Sequence, residues 1–479
     1  MSDFAPRSQP AMASAGSIEQ ALIEVREKLY PRAVSGKRAT WRWALVILTQ
    51  LIYFGTPWLD WQGRQAVLFD VASREIHLLG LVFWPQDALY LALLLLAVAY
   101  ALFLFTSVAG RLWCGYACPQ SVYTELFMGI ERVIEGDRAA RIKLDKQPRS
   151  ARKLRLKAAK HALWIAVALA TGFTFVGYFT PIRDLAADLA ALRVGPWEAF
   201  WILFYGFATY ANAGWMREQV CRHMCPYARL QGVMFDADTL VIAYDRQRGE
   251  PRGARPRALD HRAVGLGDCI DCGICVHVCP TGIDIRNGLQ YECIGCGACV
   301  DGCDQIMDRM GYPRGLIRYS TDPALKAAPR RLARRGARPR MLAYAAILLL
   351  IAASAAVILY RRAPLDVDVV HDRVVASESA ERPLIENVYR LRIVNRDSTA
   401  RDLTIRVSGL DGMTLLSEAQ PIRMKAESTR LVPVRVRAPR EQLPPGASAI
   451  RFTVEALALD EAVDTKSRAA EARSVFTAP

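Results

Sequence analysis

Hydrophobic and polar positions along this chain follow three different rhythms. Five nearly continuous apolar runs, at residues 41–57, 86–108, 161–180, 197–216 and 341–360, approach the roughly twenty residues that a helix needs to cross a bilayer. The first run is short, and the fourth carries Asn212 among aromatics; a buried core helix would share both features. Two amphipathic stretches, "SVYTELFMGIERVIEG" and "ARLQGVMFDADTLVIAYD", follow the second and fourth runs. Beyond Arg361 the period becomes two, in "LDVDVVHDR", "NVYRLRIVNR", "RDLTIRVSGL", "TRLVPVRVRAP" and "AIRFTVEAL". Short alternating runs bounded by turn formers predict half-buried strands in an antiparallel sandwich.

Composition agrees with this division. The 479 residues combine 52% hydrophobic with 23% charged side chains, which a chain with separate membrane and soluble parts explains. The net charge of +15 sits largely in blocks flanking apolar runs, such as "RIKLDKQPRSARKLRLKAAK" and "RRLARRGARPR". With no nucleic-acid module beside it, this charge reads as topology and lipid contact, and no nucleic-acid partner is expected. Basic residues are sparse at 59–85 and 181–195 and dense on the other sides of the runs, which predicts a cytoplasmic N-terminus and an exported C-terminus. No cleaved secretory leader is expected.

The predicted organisation is multi-domain. A cytoplasmic segment at 1–40 precedes an α-helical membrane bundle at 41–243, and a basic linker at 244–267 lies along the membrane surface. A cysteine-rich module occupies 268–320, followed by a second basic linker at 321–340. The fifth of the five transmembrane helices is at 341–360, and an all-β domain fills 361–479.

The chemistry is carried by cysteine. All twelve lie before the β-domain, so a disulfide framework in an exported domain is not expected. "CIDCGICVHVCP" places Cys269, Cys272, Cys275 and Cys279 in the spacing C-x2-C-x2-C-x3-C, and "CIGCGACVDGC" repeats it at Cys293, Cys296, Cys299 and Cys303. This is the bacterial ferredoxin run, in which the fourth cysteine serves the other cluster. It assigns Cys269, Cys272, Cys275 and Cys303 to one [4Fe–4S] cluster and Cys293, Cys296, Cys299 and Cys279 to the second. Gly273, Gly295 and Gly297 would provide the tight turns. Paired C-x2-C segments also build zinc ribbons, but two tandem four-cysteine runs without a ligand-like histidine favour iron–sulfur. No dinucleotide fingerprint or P-loop accompanies them, so the clusters read as an electron relay rather than part of an organic active site.

Two further pairs, Cys114 with Cys118 in "LWCGYACPQS" and Cys221 with Cys225 in "VCRHMCPYAR", end the second and fourth apolar runs, each followed by proline. The repeated C-x3-C-P core suggests a duplicated membrane unit. On an α-helix each pair would share a face about 6 Å apart. That spacing is poor for a disulfide and good for a soft metal, Cu(I) or zinc. His223, Met224 and Met128 lie nearby; the methionines read mainly as core packing and the histidine as an interface residue.

Paired CxxxCP motifs, "YDRQRGEPRG", a two-cluster ferredoxin run, one more apolar helix and a β-domain, in this order, resemble the CcoG/RdxA/FixG family of cytochrome c oxidase accessory proteins. The resemblance covers the chain from about Leu29 onward. It implies a multi-pass bacterial inner-membrane protein with a periplasmic immunoglobulin-like domain, which reduces Cu(II) to Cu(I) during assembly of a cbb3-type oxidase. Cys114, Cys118, Cys221 and Cys225 would be the copper-handling, catalytic residues. The implied partners are copper, copper-delivery and oxidase-assembly proteins, lipid, an electron donor that is either a quinol or a cytoplasmic reductase, and a second copy of the chain if it is a homo-oligomer. Two readings compete with it: a quinol-oxidising carrier of the NapH/NosR type, and a non-enzymatic assembly scaffold.

Overall fold

The computed structural model describes residues 28–321, 339–456 and 469–478, apart from positions 62, 237, 261–262, 380–381, 398, 418–419 and 441–445. Residues 1–27 of the expected N-terminal segment and most of the second basic linker lie outside the described residues. The chain divides into two units between Ala352 and Ala353.

In the first unit, α1 (Lys37–Gly55) leads into a hairpin of β1 (Asp60–Trp61) and β2 (Arg64–Gln65). A three-stranded antiparallel meander follows, β3 (Val67–Asp70), β4 (Glu75–Leu78) and β5 (Leu81–Phe83). Next come α2 (Ala88–Ala109), α3 (Leu112–Tyr116), α4 (Pro119–Glu135), α5 (Arg138–Lys146), α6 (Ala151–Val176) and α7 (Ile182–Ala190). Then α8 (Pro196–Thr209) widens into a π-helix over Tyr210–Met216; a second π turn, Val220–Met224, precedes α9 (Pro226–Met234).

Three helices among the described residues are long and apolar enough to cross a membrane: α2, α6 and α13 (Pro339–Tyr360). The other two expected spans are helical but differ from this type. α1 opens with Lys37, Arg38 and Arg42, and α8 has 14 α-helical residues before the π segment. Both still expose large apolar side chains, Leu51 and Ile52 on α1 and Leu203 and Phe207 on α8.

The polar segments at the far ends of these helices dock on one another. Phe69 N–H donates to the Tyr178 carbonyl at 2.7 Å, and Gln65 Nε2 donates to the Gly177 carbonyl at 2.8 Å. Gln65 Oε1 accepts from Ile182 N–H at 2.9 Å, and Arg183 pairs with Asp60. The two segments depleted in basic residues are thus brought together, at the helix ends opposite the CxxxCP motifs.

The cysteine-rich module is closed by β6 (Val241–Tyr244) pairing antiparallel with β7 (Ile317–Ser320). Between them lie α10 (Arg246–Gly249), α11 (Ile274–His277) and α12 (Ala298–Met310). The stretch read as one amphipathic element after Cys225 is therefore a helix and then a strand, because the β-branched "VIAY" pairs with β7. Arg248 and Arg255 of the segment expected as a basic linker contact the module. Arg248 pairs with Asp268, and Arg255 donates to the carbonyls of Gly253, Gly267 and Cys269. Asp301 of α12 accepts from the N–H groups of Arg38 and Ala39, capping the first turn of α1 from another element.

In the second unit, eight strands form two four-stranded antiparallel sheets. One has the order β12–β10–β14–β15 and the other β11–β13–β9–β8. The strands are β8 (Leu365–Ser379), β9 (Arg382–Asn395), β10 (Arg401–Ser408), β11 (Thr414–Ser417), β12 (Ile422–Met424), β13 (Ser428–Pro439), β14 (Gly446–Ala456) and β15 (Ala469–Ala478). Alternate residues, among them Tyr389, Leu391, Ile393, Phe452, Val454 and Phe476, fill the core between the sheets. The five alternating runs became β8, β9, β10, β13 and β14. Strands β11, β12 and β15 were not expected: the first two are four and three residues long, too short to display a period, and β15, "AAEARSVFTA", has few large apolar side chains to mark one.

Candidate functional site

Proline decides the local geometry of both CxxxCP motifs. Cys114 lies in α3, but Cys118 (φ −61°, ψ 128°) and Cys225 (φ −80°, ψ 109°) are extended, and Pro119 and Pro226 are the first residues of α4 and α9. The residue before proline is pushed out of the α region, so the two thiols of a motif do not share one α-helical face as the spacing suggested. Each proline starts a helix, where its missing N–H costs nothing.

The backbone shows the duplication. Four residues before the first cysteine of each motif, Gly110 (φ 56°, ψ −122°) and Arg217 (φ 41°, ψ −110°) end the preceding helix in the same turn. This region favours glycine, so Arg217 is strained. It is held by Glu131 at 2.7 Å and by N–H donation to the Asn212 carbonyl at 2.7 Å. The halves are also cross-stitched. Gln120, two residues after Cys118, donates to the carbonyls of Asn212 and Arg217 at 2.9 and 3.1 Å. Tyr227, two residues after Cys225, shares a hydrogen bond with Thr106 and donates to the Leu102 carbonyl.

This exchange brings the four thiols into one region. Burial pushes the Cys114 thiol up to about 11, with Cys118 and Cys225 adding to the effect. Burial pushes Cys221 up to about 12, with Cys118, Cys114 and Cys225 contributing in that order. The Cys114 thiol donates to Gln231 Oε1 on α9 at 3.3 Å, a contact from the first motif to the second half. Met128 is buried and lines a cleft of ≈ 410 Å³ with Arg42, Glu125, Glu218, Cys221 and Cys296. His223 and Met224 are exposed.

The ferredoxin cysteines form two neighbouring sets. The Cys303 thiol is pushed up to about 12 by burial and then by Cys275, Cys272 and Cys269. Cys299 is raised by burial and then most by Cys296, Cys293 and Cys279. Each fourth cysteine therefore lies beside the first three of the other run. Gly273, Gly295 and Gly297 adopt φ of 65°, 70° and 74°, and Asp271 takes the left-handed position in the first run that Gly295 takes in the second.

These residues fit two [4Fe–4S] clusters. Five of the cysteines line a cavity of ≈ 320 Å³ with Ile242, Ile283 and Ile285. Buried thiols that raise one another's pKa favour a bound cation that takes them as thiolates. Among the described residues no three His, Cys, Asp or Glu side chains converge as a single ion would require. A cubane holds its thiolates at its corners, farther apart than a single ion would.

The first CxxxCP motif and the module touch directly. A Cβ on Gly115, inside the first CxxxCP motif, would lie 2.8 Å from the N and Cα of Cys296 and from the Ile294 carbonyl oxygen. The Tyr319 hydroxyl donates to the Gly295 carbonyl at 2.7 Å and lies 3.2 Å from the Tyr116 hydroxyl. Arg111 stands between the two groups of cysteines. Sequence reasoning missed Gly115, Arg111 and Gln231; the one available signal was a small residue between the cysteines of the first motif.

Comparison with known proteins places this geometry. Residues 355–479 match the family model "IG-like fold at C-terminal of FixG, putative oxidoreductase". A "4Fe-4S dicluster domain" matches 216–322, and a "4Fe-4S binding domain" matches 91–135. The nitrogen fixation protein FixG of Rhizobium meliloti is 36% identical, with 88% of each chain covered. The chain belongs to the FixG/RdxA/RdxB family. RdxB of Cereibacter sphaeroides is 40% identical over 86% of this chain and 88% of its own, and RdxA of the same organism is 39% identical over 88% and 92%. As in this family, the chain is an iron–sulfur electron-transfer protein with apolar helices and an Ig-like C-terminal domain.

Proposed function

We propose that the chain is a membrane-bound cupric reductase, passing electrons to Cu(II) held at the CxxxCP thiols and releasing Cu(I) for assembly of a cbb3-type cytochrome c oxidase. The observation that carries this reading is the backbone contact of Gly115 with Cys296, which leaves little matter between the membrane-edge thiols and the cluster ligands. Cys269, Cys272, Cys275 and Cys303 hold one cluster, and Cys279, Cys293, Cys296 and Cys299 the other. When bound, the clusters supply one-electron storage and transfer.

The protein's own side chains do the rest. Two at a time, the thiols of Cys114, Cys118, Cys221 and Cys225 bind copper as substrate after losing their protons, and soft thiolates in low coordination stabilise Cu(I) over Cu(II). One electron reaches each Cu(II); the electron transfer itself needs no acid or base, and the thiol protons pass to solvent when copper binds. Met128 adds a thioether to the wall of the cleft that also contains Cys221.

We further assign five membrane spans, α1, α2, α6, α8 with its π extension, and α13. The ferredoxin module lies on the cytoplasmic side and the Ig-like domain in the periplasm. The basic flanks of the helices support that orientation, as does the docking of the two segments depleted in basic residues. Copper-delivery and oxidase-assembly proteins are the expected partners.

The test compares Cys114→Ala/Cys118→Ala and Cys221→Ala/Cys225→Ala with wild type. Either double variant should keep its cluster absorbance and lose Cu(II) reduction. Reduction retained in both would remove the thiols from the mechanism.

A further inference from the structure

Arg111 is 6% exposed, and among the described residues no carboxylate forms an ion pair with it. Its Nη2 donates to the Ala228 carbonyl on α9, its guanidinium lies over the Phe235 ring, and its Nε has no partner. Its backbone carbonyl lies 3.1 Å from where a Cβ on Gly295 would be, and its side chain shares a cavity wall with Cys293. The cysteines Cys114, Cys293 and Cys221 act on it electrostatically more strongly than Glu292 does. A buried guanidinium without a carboxylate is costly, and the negative charge of a cluster and its ligand thiolates beside it would offset that cost.

Two other guanidinium groups near the cluster cysteines are neutralised. Arg286, beside Cys275, pairs with Asp284 and Asp271; Arg42, beside Cys296, pairs with Glu125. In the second half of the duplication the position equivalent to Arg111 is Glu218, three residues before Cys221, so the cation is not inherited from the repeated backbone.

The two cysteine sets also differ in exposure. Cys272 is exposed, whereas Cys293, Cys296 and Cys299 are all buried. Reduction adds negative charge to a cluster, and burial penalises that charge, so burial alone would make the inner cluster the harder one to reduce. An unpaired cation beside Cys293 opposes this.

We propose that Arg111 is a positioning residue of the relay, whose unpaired buried charge holds the inner cluster, on Cys279, Cys293, Cys296 and Cys299, at a higher reduction potential than the outer one. An electron shared by the two clusters then resides on the inner one, beside the CxxxCP thiols. The inference rests on the cluster assignment above and does not require copper to be the acceptor.

The test is an EPR-monitored redox titration of the full chain, purified anaerobically with both clusters loaded, as wild type, Arg111→Gln and Arg111→Lys. Wild type should show two waves. Arg111→Gln should move only the higher wave, downward, and Arg111→Lys should leave it near its wild-type position. Unmoved waves in Arg111→Gln, an equal shift of both, or a shift of the lower wave alone would overturn the proposal. So would loss of the inner cluster from Arg111→Gln, which would make Arg111 a residue of assembly and not of potential. A wild-type chain lacking two clusters' content of iron and sulfide would instead refute the cluster assignment, so the two failures are distinguishable.

Discussion

Gly115 and Cys296 meet backbone to backbone: a methyl group on the glycine would lie 2.8 Å from both the N and the Cα of the cysteine. Neither side can yield by rotating a side chain. Gly115→Ala should therefore force the module away from the membrane-edge motif, at a cost of about 1–3 kcal/mol. Cluster absorbance should survive while Cu(II) reduction slows by at least an order of magnitude. Stopped-flow measurement of cluster reoxidation by Cu(II) checks this; an unchanged rate would show that electrons leave by another route.

Glu131, 1% exposed, joins Arg217 and Arg141 at 2.7 Å each, with Lys160 at 3.7 Å. Glu131→Gln leaves buried cations unpaired and releases the strained Arg217 turn. A loss of about 3–5 kcal/mol is expected, read as a lower melting temperature in detergent. Burial alone would raise the Glu131 carboxyl, but Arg217, Arg141 and Lys160 outweigh it and hold the carboxyl below its ordinary value. A depressed carboxylate contributes stability that is present above its unfolded pKa of about 4.3 and is lost as pH falls through the folded value. Wild type should therefore destabilise more steeply than Glu131→Gln as pH drops below about 4.

Asp301 caps α1 through the N–H groups of Arg38 and Ala39, at 3.3 and 2.8 Å. Asp301→Ala should cost about 1 kcal/mol, and Asp301→Asn, which keeps an acceptor oxygen, less. Faster amide exchange at the start of α1 would report the loss. Equal protection in wild type and Asp301→Ala would show the cap to be dispensable.

Much of the site could be read in the sequence because ferredoxin ligation is local. Three thiols within seven residues fix one end of a cluster, and the glycines beside them have one conformational use, borne out by the positive φ at Gly273, Gly295 and Gly297. The β-domain was legible for the same reason, since strands such as β9 and β13 are long enough for alternation to show. What failed was geometry set by a neighbour in the chain. Helical spacing alone predicted that Cys114 and Cys118 share a face, but Pro119 made Cys118 extended. The contacts that join the parts, Arg111 to Ala228, Cys114 to Gln231 and Asp301 to Ala39, span 117, 117 and 262 positions, and no local pattern encodes them.

The central claim is that electrons held by the clusters leave through the CxxxCP thiols to copper. The most direct test is a single turnover. The full chain is reduced under anaerobic conditions, excess reductant is removed, and Cu(II) is added while cluster absorbance and chelator-trapped Cu(I) are followed together. The account predicts one Cu(I) formed per electron lost from the clusters in wild type, and no fast phase in Cys114→Ala/Cys118→Ala. Cluster oxidation of equal rate and yield in that variant would contradict it.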